Sequence, residues 1–350
     1  MAGRENSYVT QAPPAPERRA AHDIDGDGRI RVRLFDADRK DRVLTLKEAL
    51  AAKASARQLL WIDVRGEVDP AERRALAERF QLDAATEHAL GEVGTKPMIQ
   101  LHDKHFHLRV AAEPEPSRRH GASWLDIVAG PNVVISQHDR DLDFLDAINE
   151  RIAADATIGE LDSSEFVASV LDAIVTTYHA AIDGIEDELD EIDSRALAGR
   201  HTDEQVDQLV TIRRRIARLR HLLAAHRELF GALGRRDFGR GIESADPDVF
   251  RPVAGRFEGA ILSLESTRDV VLGSFDILMT RAAQRTNDIV RILTLVTVMA
   301  VPATVTAGFL GMNVIVPVSK DDPFSFWMIV AVIVVFEIAI LGIARWRRWI

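Results

Sequence analysis

The chain has 350 residues, 47% hydrophobic and 28% charged, enough for about two domains and a membrane segment. A net charge of -10 argues against a nucleic-acid partner and suits a protein that gathers cations. With no cysteine, disulfides and thiolate metal sites are excluded.

Residues 1–25 read as a disordered tail, with Pro13, Pro14 and Pro16 and no apolar stretch of the kind a signal peptide needs. Asp23-Ile24-Asp25-Gly26-Asp27-Gly28 imitates the start of a calcium loop. Leu34, however, stands where the bidentate Glu of such a loop belongs, and the flank alternates like a strand, so the motif reads as an exposed turn.

Residues 26–160 form the first domain, in which short strands and helices alternate. Period-two stretches predict strands at Arg29–Phe35, Gln58–Asp63, Met98–Leu101, Phe106–Ala111, Trp124–Ala129 and Val133–Ser136. Helical patterns fall near Leu46–Ala52, Pro70–Phe80, Asp83–Leu90 and Asp141–Ala154. The expected fold is α+β, a mixed sheet flanked by helices. His105 and His107 share one strand face and His102 sits in the turn, which reads as a surface hairpin with incidental histidines in preference to a ligand set. No nucleophile with its base, phosphate loop or specific carboxylate pair speaks for an enzyme.

Residues 161–288 change to long helices, a stalk domain. Ser163-Ser164-Glu165 offers an N-cap to a helix that turns acidic through Asp183, Glu186, Asp187, Glu188, Asp190, Glu191 and Asp193. The next helix is basic, with Arg213, Arg214, Arg215, Arg218 and Arg220, so the two read as an antiparallel pair matching opposite charges. After Gly239 and Gly241 a third helix starts near Asp248. It meets no proline between Pro252 and Pro302, and unbroken to Leu310 it is ~90 Å long. Phe257, Ile261, Leu264, Val271, Phe275, Leu278 and Met279 keep helical spacing along it.

Residues 289–350 close the chain as a transmembrane hairpin. Ile292–Leu310 carries no charge and Phe324–Ala344 carries only Glu337. Each run spans a bilayer core of ~30 Å at ~1.5 Å per residue. Steps of three and four back from Gly311 meet Gly308, Thr304, Val301, Thr297, Thr294, Val290 and Asn287, while Ile292, Leu295, Val298 and Met299 lie on other faces. Such a seam suits close helix packing. Running the whole span between the amides Asn287 and Asn313, it also suits a water-filled axis shared by several copies, since one hairpin encloses nothing. Arg281, Arg285 and Arg291 precede the first span and Arg345, Arg347 and Arg348 follow the second. The intervening loop has Lys320 against Asp321 and Asp322, so both termini are expected to be cytoplasmic in a multi-pass protein of the inner (plasma) membrane.

The order Thr286-Asn287-Asp288, Pro302, Thr304, Gly308 and Gly311-Met312-Asn313, then a short loop, an apolar helix and a basic end, resembles the CorA-type magnesium transporter family, the 2-TM-GxN superfamily. Trp61-Ile62-Asp63-Val64, Lys96-Pro97 and the acidic helix from Asp183 to Asp193 extend the resemblance through most of the chain. It implies a homopentameric channel for divalent cations, chiefly magnesium, also cobalt and nickel, with the ion as cargo and no cofactor. Gly311, Met312 and Asn313 would form the selectivity mouth, with acidic Asp321 and Asp322 in the outer loop. Asn287, Val290, Leu293, Thr297, Val301, Thr304 and Gly308 would line the pore, with Asn313, Thr304 and Asn287 meeting the metal. Arg345, Arg347 and Arg348 would form an inner basic ring.

Physical chemistry agrees with these roles. Magnesium dehydrates reluctantly, so neutral oxygens that bond its water shell serve better than carboxylates that strip it. Val290, Leu293 and Val301 are apolar enough to close a pore by excluding water. Three departures keep alternatives open. Leu310 replaces the aromatic residue that commonly precedes Gly-Met-Asn. Ala89 and Pro252 occupy the places of the family's metal-sensing carboxylates, although Glu87, Glu92, Asp246 and Asp248 lie near in sequence. Glu337, alone in the second span, asks for a role. A zinc importer of the same superfamily with proton coupling is one alternative. A cytosolic binding domain anchored by a hairpin is another, although an anchor has no use for a polar seam.

Overall fold

In the first strand, β1 (Ile30–Asp36), Ile30, Val32 and Leu34 alternate with Arg31 and Arg33, so one face is apolar from the outset. The computed structural model describes residues 29–347 apart from 40, 56, 92–93, 114–121, 155–161, 198–202, 241, 243–244 and 312–322. The tail and the Asp23–Gly28 motif therefore lie outside the described residues. The remaining strands are β2 (Arg42–Leu44), β3 (Gln58–Arg65), β4 (Met98–Leu101), β5 (Phe106–Glu113), β6 (Ser123–Gly130) and β7 (Val133–His138). All seven join one sheet in the order β2-β1-β3-β7-β6-β5-β4. Among the described residues only β3 and β7 pair in parallel, through registers such as Asp63↔Ser136, and the other pairings are antiparallel. The mixed sheet is as expected. β2 is an addition, because Arg42–Leu44 is too short to show a period.

Helices α1 (Leu46–Ala51), α2 (Pro70–Phe80), α3 (Ala84–Ala89) and α4 (Asp143–Ala154) interleave with the strands. Thr45 and Glu48 form a capping box at α1, and α2 has Pro70 just inside its N-cap Asp69. On one sheet face Ile30, Val32, Leu34, Leu60, Ile62 and Ile135 pack with Leu46, Leu76 and Leu90 into a continuous core. The opposite face receives helix α5 (Ser163–Leu197). There the rings of Trp61 and Phe166 sit 5.2 Å apart, beside Phe35.

Two buried polar networks stitch the strands. Trp61 Nε1 donates to Ser136 Oγ (2.8 Å), which donates to Asp63 Oδ1 (2.5 Å), with His138 Nε2 3.4 Å from Asp63 Oδ2. Ser136 thus bonds the carboxylate and not the imidazole, an arrangement for holding parallel strands and not for nucleophilic attack. Arg109 Nε lies 2.8 Å from Asp126 Oδ2, and His107 Nε2 2.8 Å from Asp126 Oδ1, so this interior charge is paired. Two of the three hairpin histidines are consequently not surface residues, and His102 is partly exposed. His107 is buried with Asp126, and His105 is buried against Thr86 of α3, because that helix covers the turn.

Past the end of β4 the edge of β5 needs other partners. The Ala111 N–H donates to His226 Nε2 (2.9 Å), and Tyr178 Oη donates to the Ala111 carbonyl (2.5 Å). Thr177 Oγ1 donates to the Ala112 carbonyl (3.0 Å). Here α5 and α6 (Asp203–Leu233) complete a sheet edge with side chains.

Helix α7 (Pro247–Gly311) runs without a break, and α8 (Pro323–Trp346) ends the described fold. Asp246 accepts the Asp248 N–H (2.9 Å) as N-cap, with Pro247 at the first helical position. Buried positions on α7 alternate three and four residues apart: Phe250, Val253, Phe257, Ala260, Leu264, Thr267, Val271, Ser274 and Leu278. Sustained 3-4 spacing is the seam of packed long helices. Ile261 and Phe275 flank it half-buried and Met279 is exposed. Acids of α5 bond α7: Glu186 Oε1 accepts Thr267 Oγ1 (2.6 Å) and Asp193 Oδ2 accepts Ser274 Oγ (2.9 Å). The chain divides into two compact units, Met1–Asp187 with Arg213–Arg268, and Glu188–Ile212 with Asp269–Ile350.

Candidate functional site

Among the described residues three helices are long and apolar enough to cross a membrane: α5, α7 and α8. Half of the apolar window of α5 is buried, much of it by Phe166, Val167, Leu171 and Ile174, so protein is its solvent. None of the α7 window is buried. From Ala282 to Gly311 no described side chain of α7 is buried, and Ile292, Leu293, Val296 and Phe309 are each more than half exposed on differing faces. A helix apolar all round belongs in lipid or against other apolar helices.

The positions expected to line a pore form an uncovered ridge. Asn287, Val290, Leu293, Thr297, Val301, Thr304 and Gly308 are all exposed within the single chain. Thr294 donates its hydroxyl to the Val290 carbonyl (2.7 Å), Thr297 to Leu293 (2.8 Å) and Thr304 to Ala300 (2.8 Å). Each threonine thereby spends its only proton on its own helix and leaves its oxygen lone pairs facing outward as acceptors. A Cβ added at Gly308 or Gly311 would meet nothing, so neither glycine is required by packing inside one chain.

A second stripe of α7 is different. Leu295, Met299, Pro302, Ala303 and Thr306 are half-covered, and the Thr306 hydroxyl is donated to the Pro302 carbonyl (2.8 Å). On α8 the covered positions among the described side chains are Ile329, Val330, Ile333, Glu337 and Ile340, ending in buried Ala344. Glu337 therefore belongs to the protein-covered side of its helix, where an intramembrane carboxyl is best tolerated.

Met312, Asn313, Asp321, Asp322 and Arg348 lie outside the described residues, whereas Gly311 closes α7 and Arg345 and Arg347 are exposed at the end of α8. Ala89 ends α3 half-buried, and Pro252 is exposed near the start of α7. Of the neighbouring acids, Asp246 is the cap of α7 and Asp248 pairs with Arg251 (2.6 Å), while Glu87 is half-buried and Glu92 lies outside the described residues. One group that the spacing of residues did not bring together is Asp83, His102 and His105, whose donor atoms converge. Asp83 is far from the histidines in sequence, so only a fold in which α3 covers the β4–β5 turn unites them.

A sheet domain followed by long helices and an uncovered C-terminal apolar region agrees with what comparison finds. The model of the family described as "CorA-like Mg2+ transporter protein" matches residues 56–345. The chain belongs to this family. CorA-like proteins are transporters and not enzymes. The chain is 22% identical over 295 residues to the cobalt/magnesium transport protein CorA of Thermotoga maritima, covering 83% of each. It is 26% identical over 269 residues to the divalent cation transporter CmaX of Pseudomonas aeruginosa, covering 77% of this chain and 76% of that one. The complete structure of the CorA magnesium transporter from Methanocaldococcus jannaschii superposes with a TM-score of 0.69 at 20% identity, over 91% of this chain and 98% of that one. At that identity the likeness speaks for the CorA-like fold.

Proposed function

We propose that copies of this chain assemble into a membrane channel that passes divalent cations, magnesium first and cobalt and nickel as well. The carrying observation is the uncovered α7 ridge, whose threonine hydroxyls are internally donated and whose oxygens face outward. Around an axis, such rings accept hydrogen bonds from the water shell of an ion and spare it dehydration. Asn313, Gly311 and Met312 form the outer mouth, assisted by Asp321 and Asp322. Thr304, Thr297 and Asn287 continue the oxygen path inward, Val290, Leu293 and Val301 narrow it, and Arg345, Arg347 and Arg348 ring its inner end. Family membership and the transport named for the relatives support this reading. So does the uncovered perimeter of α7, which asks for neighbours and lipid. The assembly is a pentamer in the plasma membrane with both termini cytoplasmic.

The test is uptake of magnesium, cobalt, nickel and zinc into liposomes holding the purified chain. Asn313→Ala removes from every copy one acceptor worth about 1 to 3 kcal/mol, so uptake falls by on the order of tenfold or more with assembly intact. Full uptake by that variant would sink the mouth assignment. Glu337 favours a second reading, zinc import coupled to protons, because a half-covered carboxyl inside a span is able to carry a proton. Under the first reading Glu337→Gln leaves uptake and its response to a pH gradient near normal. Loss of a proton-driven stimulation in this variant would favour the second.

A further inference from the structure

The turn joining β4 to β5 carries His102 and His105, and α3 begins directly against it. The His102 N–H bonds the His105 carbonyl (2.9 Å), which fixes the spacing of the two side chains. Their rings stack with centroids 4.6 Å apart. Asp83, the N-cap of α3, uses Oδ1 to accept the Thr86 N–H (2.6 Å) and turns Oδ2 toward the rings, against His102 Nδ1 and 4.0 Å from His105 Nε2. Thr86 Oγ1 lies between them, 3.4 Å from His102 Nε2 and 3.1 Å from His105 Nε2. One donor atom from each of Asp83, His102 and His105 falls within 4.8 Å of the others. Donors bound at about 2.0 to 2.2 Å around one tetrahedral ion stand about 3.3 to 3.6 Å apart, so small side-chain adjustments would close the set on a cation.

Two further observations favour a ligand over a closed hydrogen-bond network. The His105 side chain is 3% exposed, it meets the cluster through Nε2, and its Nδ1 has no hydrogen-bond partner among the described residues, so the hydrogen bonds present leave the buried ring incompletely satisfied. An open cavity of about 390 Å³, lined by these three residues with Asp103 and Lys104, gives an ion and its water a way in.

We propose that Asp83, His102 and His105 form a binding site for one divalent transition-metal ion of the zinc class on the sheet-bearing unit. Two imidazoles and one carboxylate suit zinc, cobalt or nickel and not magnesium, which demands oxygen ligands. Three protein ligands leave a coordination position for water, the pattern of an open site. The bound ion adds to the Thr86 hydrogen bonds that already tie α3 to the β4–β5 turn.

The experiment uses the tag-free full chain in detergent, stripped with a chelator and dialysed against zinc chloride with a large excess of magnesium chloride to occupy oxygen sites. Cobalt chloride serves as the spectroscopic probe. His102→Gln alters a partly exposed turn residue, and Asp83→Asn keeps an N-cap while removing the carboxylate. The expected result is one more zinc per chain in the native protein than in either variant, with a visible cobalt band of low coordination number lost in both. Both variants melt like the native protein without metal, and only the native protein's melting point rises when zinc is added. Equal zinc content and equal cobalt spectra in all three would overturn the site and leave the cluster a hydrogen-bond network.

Discussion

His226 shows how much one side chain holds. Its Nδ1 donates to the Leu222 carbonyl (2.7 Å) and its Nε2 accepts the Ala111 N–H, so the neutral ring is the form that completes the β5 edge. Burial depresses its pKa to about 4, only partly opposed by the Leu222 bond. A histidine whose folded pKa lies below its unfolded value of about 6.5 contributes stability that is present above pH ~6.5 and lost as pH falls toward 4. At pH 5 the loss is about 2 kcal/mol. His138 shifts the other way: burial opposes its charge, but the Asp63 hydrogen bond and charge outweigh it. Its contribution is complete below pH ~6.5 and fades only above that, so the two windows do not overlap. Thermal unfolding in detergent at pH 7 and pH 5 should show a lower midpoint at pH 5, and His226→Gln should flatten that difference. An equal drop in the variant would remove His226 as the cause.

The helices divide into a part that needs only its own chain and a part that does not. Phe257 of α7 stacks on Phe230 with centroids 4.1 Å apart and is fully buried. Phe257→Ala is expected to cost about 3 to 5 kcal/mol, read as a lower unfolding midpoint. Phe309, 64% exposed, leaves that midpoint nearly unchanged when replaced by Ala. Equal losses would mean that the seam does not end near Leu278. This division also explains what could be read before the fold was seen. Period-two strands and the unbroken third helix are local signals, legible from residues such as Ile30 and Val32 and from the stretch between Pro252 and Pro302, whereas the cap of α5 is Asp162, which accepts the Glu165 N–H (2.9 Å), and not the serines that follow it. β2 was not, because three residues show no period. The burial of His105 and His107 was hidden because it depends on α3 and on Asp126, distant in sequence. The seam of threonines and glycines was legible as a pattern and one chain leaves it bare; under the proposed assembly its neighbours lie on other copies.

At the scale of the whole molecule, the bare perimeter of α7 is the ground for the proposed assembly of several copies. With none of its apolar window buried, a lone chain would present its oxygen ridge to lipid, at the cost of unsatisfied acceptors. Mass measurement in mild detergent should therefore find several copies together, and dispersal by harsher detergent should end uptake. A single-copy particle that still transports would overturn a shared axis.

The half-buried apolar stretch of α5 puts a condition on how the protein is made. By length and apolarity α5 qualifies as a membrane span, and it leaves the ribosome well before α7 and α8. What claims it is the sheet, through Phe35 and Trp61 meeting Phe166, and all seven strands precede it in the chain. N-terminal portions fold during synthesis, at ~5 to 20 residues per second. The strand-rich half thus has time to close and receive Val167, Leu171 and Tyr178 before the insertion machinery meets them. Delay in that half would offer the machinery a false first span and reverse the sidedness of every segment that follows.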